Sequence, residues 1–204
     1  MEHSRVRETT SRSTRWTYAE FARLPSEGSK RHEIIEGKLV VTPAPRPDHQ
    51  RVVMRVLAAL HNYLQAHGLG EAFPGPIDVL FAEGDYYEPD AVVVAKGREH
   101  VVSDRGLEEA PDLVVEVVSP STAARDRGIK LDRYRLFGVP EYWIVDPDSA
   151  TLSVWRLGQG ATEPLILGEG DVLEWRPHGS EAAGAAGAAD ATALELEVAS
   201  LFDA

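Results

Sequence analysis

The chain has 204 residues, a formal net charge of −12 and no cysteine. That length suits one domain, and the missing thiols exclude disulfides, thiolate zinc sites and a cysteine nucleophile, in keeping with a reducing cytoplasm. The acidic balance argues against a protein that coats nucleic acid, and apolar runs of about five residues fall far short of the ~20 that span a bilayer.

Residues 1–15 are polar and rich in Ser, Thr and Arg, which predicts a disordered tail ahead of a single domain over 16–204. No apolar core of a signal peptide is present there. Thr17 to Leu24 reads as a short helix capped by Thr17. Arg31 to Val41 (RHEIIEGKLVV) reads as two strands about a Glu36-Gly37 hairpin turn. Glu33 lies in the first of them, where pattern alone favours an exposed edge position. After a proline-rich loop, Asp48 opens a helix with Val53, Val56, Leu57, Leu60 and Leu64 on a 3.6-residue period, closed by Gly68. His49 in its first turn can cap, pair with a carboxylate or face a pocket; a local hydrogen bond is the plainer reading. Pro76 to Phe81 is a predicted strand carrying Asp78, and Gly84-Asp85 a turn. Tyr86 to Ala95 is a further strand, with Asp90 where it enters the core.

Leu113 to Val118 is a β-rich apolar run interrupted by Glu116, a costly residue for a sheet interior unless paired or metal-bound. Ser119-Pro120-Ser121-Thr122 looks like a helix start, and the helix should run to Phe137 and stop at Gly138. At about 100° per residue, Asp126, Tyr134 and Phe137 fall within roughly 40° of Lys130, so the lysine sits on the stripe that faces the sheet. Glu141 to Asp146 is the next strand. Thr151 to Leu157, Glu163 to Leu167 and Asp171 to Trp175 read as an antiparallel extension. Residues 178–192 form an Ala/Gly-rich flexible insert, and Leu194 to Phe202 returns as strand or helix. This order predicts an α/β or α+β domain, a mixed β-sheet core flanked by helices with extra antiparallel strands.

Asp90, Glu116 and Lys130 are the chemistry-bearing residues of this plan. Two acids on one sheet plus a lysine suit metal-assisted phosphodiester hydrolysis, with Mg²⁺ or Mn²⁺ on hard oxygen ligands. A buried Glu116–Lys130 salt bridge with Asp90 capping a turn fits the same spacing, which leaves both readings open. No nucleophile elbow, Walker A loop, dinucleotide-binding glycine motif or H-E-x-x-H is present, and the histidines are scattered.

Pro89-Asp90 followed by Glu116-Val117-Val118 resembles the PD-(D/E)XK signature of restriction-endonuclease-like nucleases. RHEIIEGKLV, PRPDHQ, EPDAVVV, APDLVVEVVSPST, DRGIKLDRY and FGVPEYWIVDP together resemble the Uma-type restriction endonuclease family, across roughly Thr17 to Leu157. The resemblance implies a restriction-endonuclease-like fold and a divalent-metal-dependent endonuclease acting on DNA. It makes Asp90 and Glu116 the ligands of Mg²⁺ or Mn²⁺. Val118 stands where the motif usually has lysine, and Lys130 is implied as the catalytic lysine arriving from the helix. Glu33 and His49 match further family positions and would complete the site; Asp78 also matches, without an evident role. A homodimer would suit the cutting of both strands of a duplex. The alternative is a catalytically inactive module of the same fold that binds nucleic acid or protein.

Overall fold

The computed structural model describes residues 16–24, 30–178 and 193–203. The expected N-terminal tail and positions 179–192 of the Ala/Gly-rich insert lie outside the described residues.

Helix α1 (Tyr18–Phe21) starts on a reciprocal capping box between Thr17 and Glu20. Strands β1 (Arg31–Ile35) and β2 (Lys38–Thr42) pair antiparallel about Glu36-Gly37. Both turn residues have positive φ, 51° and 77°, as a tight hairpin requires. The strain at Glu36 is held by its own N–H, which donates to Asp85 Oδ1 at 3.1 Å. Helix α2 (Pro47–His67) has proline in its first turn and ends on Gly68 in the left-handed region. Then come β3 (Gly70–Pro74), β4 (Val79–Ala82), β5 (Asp85–Tyr87) and β6 (Ala91–Ala95). A short 3₁₀ turn leads to β7 (Val102–Ser103), β8 (Gly106–Leu107) and the central β9 (Leu113–Val117).

The following helical segment has three pieces: α3 (Ala123–Arg125), a π turn over Asp126–Lys130, and α4 (Leu131–Leu136). Strands β10 (Glu141–Asp146), β11 (Thr151–Trp155), β12 (Leu165–Leu167), β13 (Val172–Trp175) and β14 (Leu194–Glu197) complete the chain, with a last 3₁₀ turn at Val198–Leu201.

The strands form two six-stranded mixed sheets and a small hairpin. The first sheet runs β2-β1-β5-β4-β8-β7, the second β12-β11-β10-β9-β6-β3, and β13 pairs with β14. In the second sheet β9 and β10 are parallel, joined by the helical crossover, and the other neighbours are antiparallel. Alternation along β9 divides its side chains between two cores. Leu113, Val115 and Val117 pack with Trp143, α2 and the β13–β14 hairpin. Val114 and Val118 pack with Tyr87, Val79, Leu131 and Tyr134. Glu116 shares the second face, so it enters the space between the second sheet, the first sheet and the helical segment.

The expected strand Tyr86–Ala95 is two strands in different sheets. The chain changes sheet at Glu88-Pro89-Asp90, where proline removes a ladder N–H and fixes φ. Asp85 is not a turn residue but a buried strand start, accepting from Tyr87 Oη at 3.0 Å and from Arg133 at 2.6 Å. The predicted strand at Pro76 begins only at Val79, which leaves Asp78 just outside it. β3 (GEAFP) has no apolar alternation and escapes a sequence reading altogether. The segment Asp171–Trp175 does not extend β12 but pairs with β14 and covers α2. Glu141 joins these parts: its carboxylate accepts from Trp143 Nε1 at 2.7 Å and from Trp175 Nε1 at 3.2 Å.

Candidate active site

Strand register brings the two acids of the signature together. β6 and β9 pair Ala91 with Val115, so Asp90 at the mouth of β6 lies opposite Glu116. Its backbone is fixed by close approach: Gly75 N–H donates to Asp90 C=O at 2.8 Å. A Cβ at Gly75 would stand 2.3 Å from the carbonyl oxygen of Pro89.

Four carboxylates then converge on two fixed cations. Lys130 Nζ lies 2.6 Å from Glu33 Oε1, 2.7 Å from Glu116 Oε1 and 3.8 Å from Asp126 Oδ1. Tyr134 Oη donates to the same Glu116 oxygen at 2.9 Å. Asp90 Oδ2 accepts from the Val117 N–H at 2.8 Å and faces His49 Nε2 at 3.2 Å. Its Oδ1 lies 2.5 Å from Arg31 Nη1. Glu33, Asp90, Glu116, Asp126 and Lys130 are all buried, none more than 4% exposed. Setting His49 aside, the cluster holds two more negative than positive groups.

That imbalance shows in the ionisation of its members. Burial pushes Glu116 up to about 8, helped by Asp126, Asp90 and Glu33 and opposed by Lys130. Burial likewise raises Asp126. Burial also disfavours the charged form of Asp90, but His49, Arg31 and the Val117 N–H outweigh it and hold the carboxyl below its ordinary value. Burial works against a charged Lys130, yet Glu116, Glu33 and Asp126 together keep it protonated.

A cleft of about 350 Å³ opens over this cluster, bounded by the Thr42–Arg46 loop, His49 and the Ser119–Thr122 loop. Among the described residues no three His, Asp or Glu side chains form a closed ligand set. A hard cation such as Mg²⁺ needs only one or two carboxylates and keeps waters in its other positions. Asp90 Oδ1 is buried without a well-oriented hydrogen bond, despite its nearness to Arg31. The Lys130 and Tyr134 contacts of Glu116 both fall on Oε1 and not on Oε2. Facing residues of paired strands, Asp90 and Glu116 offer hard oxygens that suit a divalent ion, with Arg31 as the competitor at Asp90 Oδ1.

All five residues singled out from the sequence, Asp90, Glu116, Lys130, Glu33 and His49, meet here. The exposed-edge reading of Glu33 is overturned: β1 lies between β2 and β5, and Glu33 is 2% exposed. Asp78 stays apart, accepting from Tyr18 Oη at 3.5 Å. The sequence reading missed Arg31, which shares a strand face with Glu33 two residues on, a signal the period of two contains. It also missed Tyr134 as a partner of Glu116, and Asp126 as the fourth carboxylate.

A family model described as "Putative restriction endonuclease", Uma2, matches residues 18–179. The chain belongs to the Uma2 family. An uncharacterized protein of Synechocystis is 24% identical over 132 residues, covering 64% of this chain and 74% of its own. The crystal structure of a "putative nuclease" from Anabaena variabilis superposes with a TM-score of 0.70 at 23% identity. It covers 92% of this chain and 97% of that one, so this Uma2 chain has the nuclease-like fold along most of its length.

Proposed function

We propose that the protein is a divalent-metal-dependent endonuclease that hydrolyses DNA phosphodiester bonds. The charge count carries this reading: with all four carboxylates ionised, as metal ligation requires of Glu116, the buried cluster is two positive charges short, the charge of one Mg²⁺ or Mn²⁺. Asp90 and Glu116 would hold the ion. When bound, such an ion would supply water activation and offset charge developing on phosphate. Lys130, pinned by Glu33 and Glu116, presents a fixed cation where an attacking water would be oriented. His49 orients Asp90, and Tyr134 fixes one oxygen of Glu116. Two chains related by a two-fold axis would deliver one site to each strand of a duplex, a state that sedimentation analysis tests.

Incubation of supercoiled plasmid with Mg²⁺, Mn²⁺ or EDTA, wild type beside Asp90→Ala, tests the reading. Metal-dependent nicking that the variant loses is expected. Cleavage that survives in EDTA or in Asp90→Ala contradicts it. A non-cutting nucleic-acid-binding module is the second reading, favoured by the Arg31–Asp90 pair, which already neutralises one ligand. Retention of DNA without nicking under any metal would favour that module.

A further inference from the structure

Resting on the nuclease reading, we infer that Arg125, seconded by Arg46, grips a backbone phosphate of the substrate beside the bond to be cut. Both arginines line the cleft. In this acidic chain Arg31, Arg98, Arg105, Arg127 and Arg133 each have a carboxylate within 4 Å. Arg125 and Arg46 form no ion pair among the described residues; neither do Arg23, Arg55, Arg156 and Arg176, but those do not line the cleft. The acid next to Arg125 in sequence, Asp126, directs its Oδ1 to Lys130 at 3.8 Å.

Arg125 is also held in a particular way. Its Nη2 donates to Thr42 Oγ1 at 3.0 Å, which ties α3 to the end of β2 across 83 residues of chain. Its Nε–H is buried and has no acceptor. A guanidinium carries five donors in a rigid plane. Here one arm is fixed by threonine and a second donor is unpaired, on a residue that lines the cleft. An unpaired buried donor is costly, so a ligand that brings an acceptor oxygen is favoured.

The cleft chooses the ligand. Its floor carries an excess of buried carboxylates, so an anion can approach only where cations border it. A phosphodiester offers two non-bridging oxygens at the spacing a guanidinium fork matches, and it projects no carboxyl tail toward the acidic floor. Arg46 is exposed at the N-cap of the 21-residue α2, whose first turn adds partial positive charge on the same side. Positive groups at the rim and negative groups at the floor would hold a phosphate and a metal at neighbouring points.

The test is fluorescence anisotropy of a labelled DNA duplex in EDTA, over a salt series, with the plasmid assay run in parallel. Phosphate contact by one arginine predicts weaker binding by Arg125→Gln and a log–log salt slope reduced by about 1. Arg125→Lys keeps the charge without the fork, so its slope should stay near wild type while its affinity falls. Circular dichroism checks the fold, and the exposed Arg46→Gln, expected to lower the slope similarly, serves if Arg125 variants misfold. Unchanged affinity and slope in the variants of a wild type that cuts DNA would overturn the grip and leave the nuclease reading standing. Arg125-dependent binding by a wild type that never cuts would keep the grip and overturn the nuclease. A wild type that neither binds DNA in this assay nor cuts it in the parallel one overturns both.

Discussion

One ammonium, Lys130, serves three carboxylates, and the consequence for Glu116 is measurable. Its folded-state pKa is raised from 4.5 to about 8. The folded protein therefore holds a proton that the unfolded chain releases near 4.5, and stability falls as pH rises through that window. A tenfold difference in proton affinity is worth about 1.4 kcal/mol, so the fall is on the order of a few kcal/mol. Glu116→Gln should make the curve shallower between pH 5 and 8 in urea melts, with Glu88, raised to about 7 by burial, keeping part of the fall, and should abolish cleavage without unfolding the protein; a wild type that gains stability over that range would refute this picture of the cluster. Asp90 works oppositely, since its lowered value places its window below 3.8. Arg31 makes a different prediction. It occupies the side of Asp90 that a metal would approach, so Arg31→Gln should tighten Mn²⁺ binding, by about tenfold or 1.4 kcal/mol, in a calorimetric titration. Weaker binding would mean that Arg31 supports the metal rather than competing with it. At this scale the sequence was informative because a lone acid in an apolar run, or a lysine on an aromatic stripe, is costly unless used. Arg31 gave no such contrast, standing between polar neighbours at the start of a strand.

The π turn and the Gly75 contact decide where those residues point. Tyr142 Oη donates to the backbone carbonyl of Asp126 at 3.1 Å, bracing the widened turn from β10. Deletion of Gly128 would close the turn to α geometry and rotate the segment before it by about 100° relative to α4. Arg125 and Asp126 would leave the cleft while Lys130 and Tyr134 stayed. Activity should vanish while a thermal melt remains cooperative; full activity would deny the π turn its positioning role. Gly75→Ala brings a methyl against Pro89 C=O and should cost about 1–3 kcal/mol while displacing Asp90. A melt and a nicking rate equal to wild type would contradict that. Periodicity at 100° per residue placed Lys130 inward correctly. It could not register an added residue in the turn, because a π turn keeps i and i+4 close to one face, as an α-helix does. The break at Pro89 was written in the sequence as a proline, yet which sheet each half joins depends on partners as far away as β1 and β9.

At the scale of the fold, four buried carboxylates gather where two sheets and a helical crossover meet, and Lys130 and Arg31 offset only part of their charge when all are ionised. Among the described residues no helix is long and apolar enough to cross a membrane. A ligand that binds only the folded state raises stability by RT ln(1 + [L]/Kd), about 2.7 kcal/mol at a hundredfold excess over Kd. Mn²⁺ should therefore raise the melting temperature of wild type and leave Glu116→Gln unmoved. The layered plan, a mixed sheet flanked by helices, was legible because strand and helix periods alternate clearly from Asp48 to Asp146. The division into two six-stranded sheets was not, since β5, β7 and β8 are two or three residues long and are defined by pairing rather than pattern.

The most direct measurement is the count of bound Mn²⁺ by electron paramagnetic resonance titration of wild type, Asp90→Ala and Glu116→Gln. At least one ion per wild-type chain, lost in both variants, is expected. Equal binding in all three, or none in wild type at millimolar Mn²⁺, would contradict a metal centre at Asp90 and Glu116.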